Sequence, residues 1–174
     1  KMKLNPDESI ALAKNLKTEM SKAKIDTDKE VGVAPDFLSW QAVAKILKTT
    51  KISLGCQNAW YEDIGSFTGE VSLSMLKAAG CQYAILGHSE RRKYLAETDE
   101  LVNKKAAAAL ALDMIPVICV GETFEERKEG RKDMVIMRQV QKALAGIDIE
   151  PNQTVIVAYE PVWAIGSGQA MDPA

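Results

Sequence analysis

Two kinds of segment alternate along the chain. Short β-branched apolar runs stand at Val31–Ala34, Ile52–Gly55, Tyr83–Leu86, Ile115–Val120 and Thr154–Tyr159. They lack the polar alternation of a half-exposed strand, so they predict strands covered on both faces, as in a parallel sheet. Between them lie longer amphipathic stretches. In Asp7–Lys24 the apolar residues Ile10, Ala13, Leu16 and Met20 fall on one helical face. Ser72–Ala79, Glu97–Leu112 and Arg131–Leu144 also predict helices, and Gly80 and Gly146 follow two of them as stop signals. The result is a βα repeat with no linker or shift in composition, hence α/β in a single domain over residues 1–174.

A doubly wound sheet and a (β/α)8 barrel both fit this periodicity. The polar residues narrow the choice. The unusual ones follow the strands: Gln57-Asn58, His88-Ser89-Glu90, Gly121-Glu122 and Glu160. Both folds bind ligands at the carboxyl ends of strands. A nucleotide-binding doubly wound sheet needs a glycine-rich first turn. Neither G-x-G-x-x-G nor G-x-x-x-x-G-K-[ST] occurs, which favours the barrel.

Bulk properties exclude several classes. The chain has 174 residues, 47% hydrophobic and 26% charged, with a formal net charge of -2. Nothing there calls for nucleic acid or an anionic membrane as partner. Cys56, Cys81 and Cys119 form no C-x-x-C pair, and a single histidine argues against zinc. Their apolar neighbours predict buried thiols in a reducing compartment. No signal peptide is evident in Lys1–Ile10, and the longest apolar run, Ala106–Leu112, is far short of the roughly 20 residues that span a bilayer.

Two constellations carry candidate chemistry. In Gly87-His88-Ser89-Glu90-Arg91-Arg92, Ser89 is expected to cap a helix and His88 to lie near its N-terminus. The helix dipole there favours a neutral imidazole, able to polarise a carbonyl; a plain capping turn is the alternative. In Ala158-Tyr159-Glu160-Pro161-Val162-Trp163-Ala164-Ile165-Gly166-Ser167-Gly168, a carboxylate ends an apolar strand, as suits a general base. The rigid proline, apolar middle and glycine-rich end read as a hinged lid or as an ordinary β-to-α loop. Lys1 could meet an anion as a point charge, or belong to a solvated terminus. Glu122 reads as a helix-start residue. The long segment Gln57–Glu70 carries Trp60, Tyr61, Ile64 and Phe67, either for a partner surface or for a local minicore.

Together these motifs resemble the triosephosphate isomerase family. A-Y-E-P-V-W-A-I-G stands at Ala158–Gly166 and G-H-S-E-R-R at Gly87–Arg92. Gln57-Asn58, Phe67-Thr68-Gly69-Glu70 and Cys119-Val120-Gly121-Glu122 follow the family's order and spacing. The resemblance implies interconversion of dihydroxyacetone phosphate and glyceraldehyde 3-phosphate in glycolysis and gluconeogenesis, in the cytoplasm, without cofactor or metal. It implies Glu160 as base and His88 as electrophile, with Lys1 and the backbone N–H of Gly166 on the substrate. Glu90 resembles the carboxylate close to that lysine, Ser89 stands beside His88 in support, and the Gln57–Glu70 loop resembles one that inserts into a partner, implying a homodimer. Departures are Lys3, where the family has asparagine, and Ser167 and Gln169 at the far end of the lid.

Length is the largest departure. A (β/α)8 barrel takes roughly 250 residues. The sequence provides five strands and a stub of the first, so an incomplete barrel cut short at both ends is expected. Its open edges at Val31–Ala34 and Thr154–Tyr159 would invite association, so residues 1–174 alone are expected to be inactive. Rival readings are a fragment that folds only with a complementing piece, and a glycosidase pairing Glu160 with Glu122 or Glu90, which needs carboxylates roughly 5–10 Å apart.

Overall fold

The computed structural model describes residues 1–23 and 29–165. Strands and helices alternate as the periodicity requires, in two compact units, residues 1–84 and residues 85 onward.

In the first unit, α1 (Pro6–Lys22) opens on a reciprocal cap. The Asn5 side chain accepts from the Glu8 N–H, and the Glu8 carboxylate accepts from the Asn5 N–H. Strands β1 (Val31–Val33), β2 (Ile52–Cys56) and β3 (Tyr83–Leu86) follow, with β1 parallel to β2, and β2 parallel to the start of β3. Between them lie α2 (Trp40–Leu47) and α3 (Leu73–Ala78). Ala13 of α1, Val43 and Leu47 of α2 and Ile52 of β2 form a core, with Leu16 and Met20 packed against it. The apolar face of α1 thus lies where its spacing indicated. Lys1–Lys3, where the expected stub of the first strand would lie, is instead a turn, closed by the Lys3 N–H on the Lys1 carbonyl. No strand pairs with it among the described residues, so the local turn is left to satisfy its backbone.

In the second unit, α4 (Ser89–Tyr94), α5 (Asp99–Ala111), β4 (Ile115–Val120), α6 (Phe124–Lys128), α7 (Lys132–Leu144) and β5 (Ile156–Tyr159) follow β3. Strands β4 and β5 run parallel, registered from Val117 with Ile156 to Val120 with Tyr159. Helices α5 and α7 pack on each other and on β4. Val102, Ala106, Ala109, Ile118, Val120 and Val135 are buried in that layer. The expectation of strands covered on both faces fails for β5, whose Ile156 and Val157 are 44% and 45% exposed. Only β4 pairs with it among the described residues, and no described helix follows to cover it. All three cysteines are buried free thiols.

The second unit encloses a charged pair. Glu97, just before α5, and Lys105, within it, are each 1% exposed at their side chains, with Nζ and Oε1 2.5 Å apart. Arg91 holds the other carboxylate oxygen at 2.7 Å. Removing Lys105 leaves the buried Glu97 with Arg91 alone, and breaking a buried pair in this way costs about 3–5 kcal/mol. Lys105→Met is expected to lower stability by about that amount in urea unfolding. A change within about 0.5 kcal/mol would contradict this account of the pair.

Candidate active site

The site residues of the second unit come from the ends of three strands. At the end of β3 the chain turns through Gly87, whose φ is +70°. A Cβ there would meet Arg92 Nη2 at 2.8 Å and Val102 Cγ2 at 2.9 Å, so the tight turn requires glycine. Arg92 fixes it from below, with Nε donating to the Gly87 carbonyl at 2.7 Å and Nη1 to Asp99 at 2.5 Å.

His88 follows and is itself the cap of α4. Its Nδ1 accepts the Glu90 N–H at 3.2 Å. A nitrogen that accepts carries no proton, so this bond assigns the proton of the ring to Nε2. That nitrogen lies 3.2 Å from Glu160 Oε2. The expected cap, Ser89, is displaced from that role. It is the first helical residue, and both its groups go to Glu160: its N–H to Oε1 at 2.7 Å and its Oγ to Oε2 at 3.0 Å. The imidazole at the cap position accepts the N–H of the second helical residue, Glu90, which leaves both the N–H and the hydroxyl of Ser89 to the carboxylate. Glu90 Oε2 lies 3.7 Å from His88 Nδ1, which puts that carboxylate on the far side of the ring from Glu160.

Glu160 continues directly from β5. Its N–H donates to the Val120 carbonyl at 2.8 Å, extending the β4–β5 pairing by one bond. Its own carbonyl passes over Gly121, where a Cβ would lie 1.7 Å from that oxygen. Any other residue at 121 would push the Glu160 backbone away. Cys119, two residues before Gly121 on β4, has its thiol pushed up to about 12 by burial, and then by the negative charge of Glu160. It stays a neutral neighbour of the carboxylate.

Glu122 is not a helix-start residue. Thr123 caps α6, and Glu122 is fully buried. Its carboxylate accepts from Tyr159 Oη at 3.1 Å, Trp163 Nε1 at 3.0 Å and Arg127 Nη1 at 3.2 Å. Burial pushes this carboxyl up, but its own backbone N–H and the Trp163, Tyr159 and Arg127 donors outweigh it and hold the carboxyl below the ordinary range. Arg127 also lies 4.6 Å from the Trp163 ring centre. Trp163 sits in a short 3-10 turn, Val162–Ala164, at the start of the segment read as a lid. With its oxygens committed in this way, Glu122 is unsuited to serve Glu160 as a glycosidase partner.

Of the remaining expectations, Gly166, Ser167 and Gln169 lie outside the described residues. Lys1 belongs to the first unit, where it lines a cavity of about 270 Å3 with Lys3, Pro35, Asp36 and Gln57. The Gln57–Glu70 segment has a minicore of its own, Trp60 lying 4.8 Å from Tyr61 and 5.1 Å from Phe67 between ring centres, while Ile64 is 90% exposed. One polar contact escaped the sequence reading. Gln139 on α7 is buried and bonds both backbone groups of Gly121. Its signal was present, as an amide in the apolar stripe Val135, Gln139, Ala143.

Comparison with known proteins identifies the family. The family model for triosephosphate isomerase matches residues 1–174. The triosephosphate isomerase of Herpetosiphon aurantiacus is 45% identical over the whole chain, which spans 68% of that protein. That of Caldanaerobacter subterraneus subsp. tengcongensis is 44% identical over 99% of the chain, again 68% of the relative. That of Chloroherpeton thalassium is 49% identical over 83% of the chain and 57% of its own length. The α/β repeat, with its strand-end histidine and glutamate, is that of an incomplete (β/α)8 barrel, and the chain belongs to the triosephosphate isomerase family.

Proposed function

We propose that this protein interconverts dihydroxyacetone phosphate and glyceraldehyde 3-phosphate within a single barrel domain, with Glu160 as the base and His88 as the electrophile. The observation that carries the reading is the 3.2 Å approach of His88 Nε2 to Glu160 Oε2, with Nδ1 already occupied as an acceptor. A carboxylate beside an N–H donor fits proton abstraction next to a carbonyl. The base takes the proton from carbon, and the donor stabilises the oxyanion that forms as the electrons move onto oxygen. For the carbonyl to change places, the hydroxyl proton on the first carbon's oxygen passes to the oxyanion, a transfer that His88 Nε2 can relay. The proton returned to the neighbouring carbon completes the isomerisation.

The Glu160 carboxylate is held by both donors of Ser89 and faces His88. To act as a base it must exchange these bonds for contact with the substrate carbon. The His88 Nε2–H that now points at a carboxylate oxygen is then available to a substrate oxygen. Lys1 and the Gly166 N–H are read as contacts for the anionic substrate, Glu90 as the carboxylate close to Lys1, and no cofactor or metal takes part. A phosphorylated triose does not cross a membrane unaided, so the enzyme is read as cytoplasmic. No described helix is long and apolar enough to span a bilayer.

The Gln57–Glu70 loop is read as the contact of a homodimer, supported by the 90% exposure of Ile64 at its tip. Sedimentation of the full-length protein is expected to give the mass of two chains, and the mass of one chain would sink the dimer.

The test of the chemistry is Glu160→Asp in the full-length protein. Shortening the side chain withdraws the carboxylate by about 1 Å, and misplacement on that scale can lower turnover by about 100-fold. The expected result is that loss in kcat with little change in substrate affinity. Normal turnover in this variant would remove Glu160 from the role of base.

A further inference from the structure

The mechanism makes no use of Gln139. It lies on the stripe of α7 formed by Val135, Gln139 and Ala143, four residues apart and all buried. A buried amide must be satisfied. Here both of its polar groups go to one residue: Oε1 accepts the Gly121 N–H at 2.8 Å, and Nε2 donates to the Gly121 carbonyl at 3.3 Å. Gly121 comes just after Val120, the last registered residue of β4. Its backbone groups lie beyond the ladder, and the side-chain amide takes the place of a strand.

Residues 120–122 in turn carry Glu160. The Val120 carbonyl accepts the Glu160 N–H at 2.8 Å, and the Glu122 carbonyl accepts the Val162 N–H at 3.2 Å. Between them, the bare Cα of Gly121 lies under the Glu160 carbonyl so closely that a Cβ would approach it to 1.7 Å. Two backbones packed with no room for even a Cβ between them leave little slack, so a shift of Gly121 moves Glu160 with it.

We propose that Gln139 is a positioning residue for the Glu160 carboxylate, acting through the backbone of Gly121; the inference rests on Glu160 being the base. Two variants of the full-length protein test it. Gln139→Leu keeps the bulk and removes both bonds. The expected result is a fall in kcat of about 10–100-fold per folded molecule, with KM within about twofold, because the base is displaced while the contacts that bind substrate are untouched.

Gln139→Glu supplies a switch. Its protonated carboxyl can re-form both bonds, whereas its carboxylate can only accept and sets an oxygen against the Gly121 carbonyl. Between pH 5 and 9, kcat of this variant is expected to fall as pH rises through the carboxyl's titration, a limb that the parent protein lacks. A merely structural glutamine would lower the melting temperature and the folded fraction and leave kcat per folded molecule unchanged, which overturns the proposal. If Gln139→Leu does not fold, the pH limb decides, and its absence overturns the proposal as well. Glu160→Asp is measured alongside. Retained turnover there removes the base itself, whereas lost turnover there with normal kcat in both Gln139 variants removes only the positioning role.

Discussion

At the carboxyl end of the paired β4 and β5, the backbone of Glu160 passes over Gly121 with no room for a methyl group between them. That approach fixes where the carboxylate starts. Val120 accepts the Glu160 N–H on one side, and on the other Glu122 accepts the N–H of Val162. The carboxylate then reaches the turn after β3, where Ser89 and His88 meet it. Three strand ends, two of them with glycine at the key position, thus bring acid-base groups to within hydrogen-bond distance. A glycine at 87 permits the turn that carries the histidine, and a glycine at 121 permits the approach of the base.

The charges around this frame are arranged so that few are left unpaired. Glu97 is sandwiched between Lys105 and Arg91, and Glu122 among Tyr159, Trp163 and Arg127. Both carboxylates are buried, and both are satisfied by donors from elements close in sequence to the site. Glu122 links the end of β5 to the turn containing Trp163, so the anchor of Glu160 and the start of the segment after it share one carboxylate.

Much of this was legible in the sequence because each signal was local. The βα repeat, the amphipathic face of α1 and the glycine stops at 80 and 146 follow from spacing, and both of those glycines have positive φ. Glu160 and His88 stood out as polar residues ending apolar strands. What escaped depended on partners distant in sequence. Ser89 reads as a cap, and only the arrival of Glu160, 71 positions later, turns it toward a carboxylate. Glu122 reads as a helix start until Tyr159 and Trp163 close over it. Gln139 is an odd amide in an apolar stripe until the bared backbone of Gly121 gives it a partner. Among the helices, α2 went unread, while α4 and α6, of six and five residues, were indicated only by their start signals. The exposure of β5 was hidden for the opposite reason, since an apolar run reports what a strand can bury, not what covers it.

The claim on which the rest depends is that Glu160 removes a proton from carbon, with His88 holding the oxygen. Isomerisation by the full-length protein in deuterated water tests it most directly. The account predicts product carrying solvent deuterium on the carbon beside the carbonyl, and no such exchange by Glu160→Gln, which keeps the size of the side chain but cannot act as a base. Isomerised product that retains only the substrate's own hydrogen at that carbon, or undiminished exchange in Glu160→Gln, would contradict it.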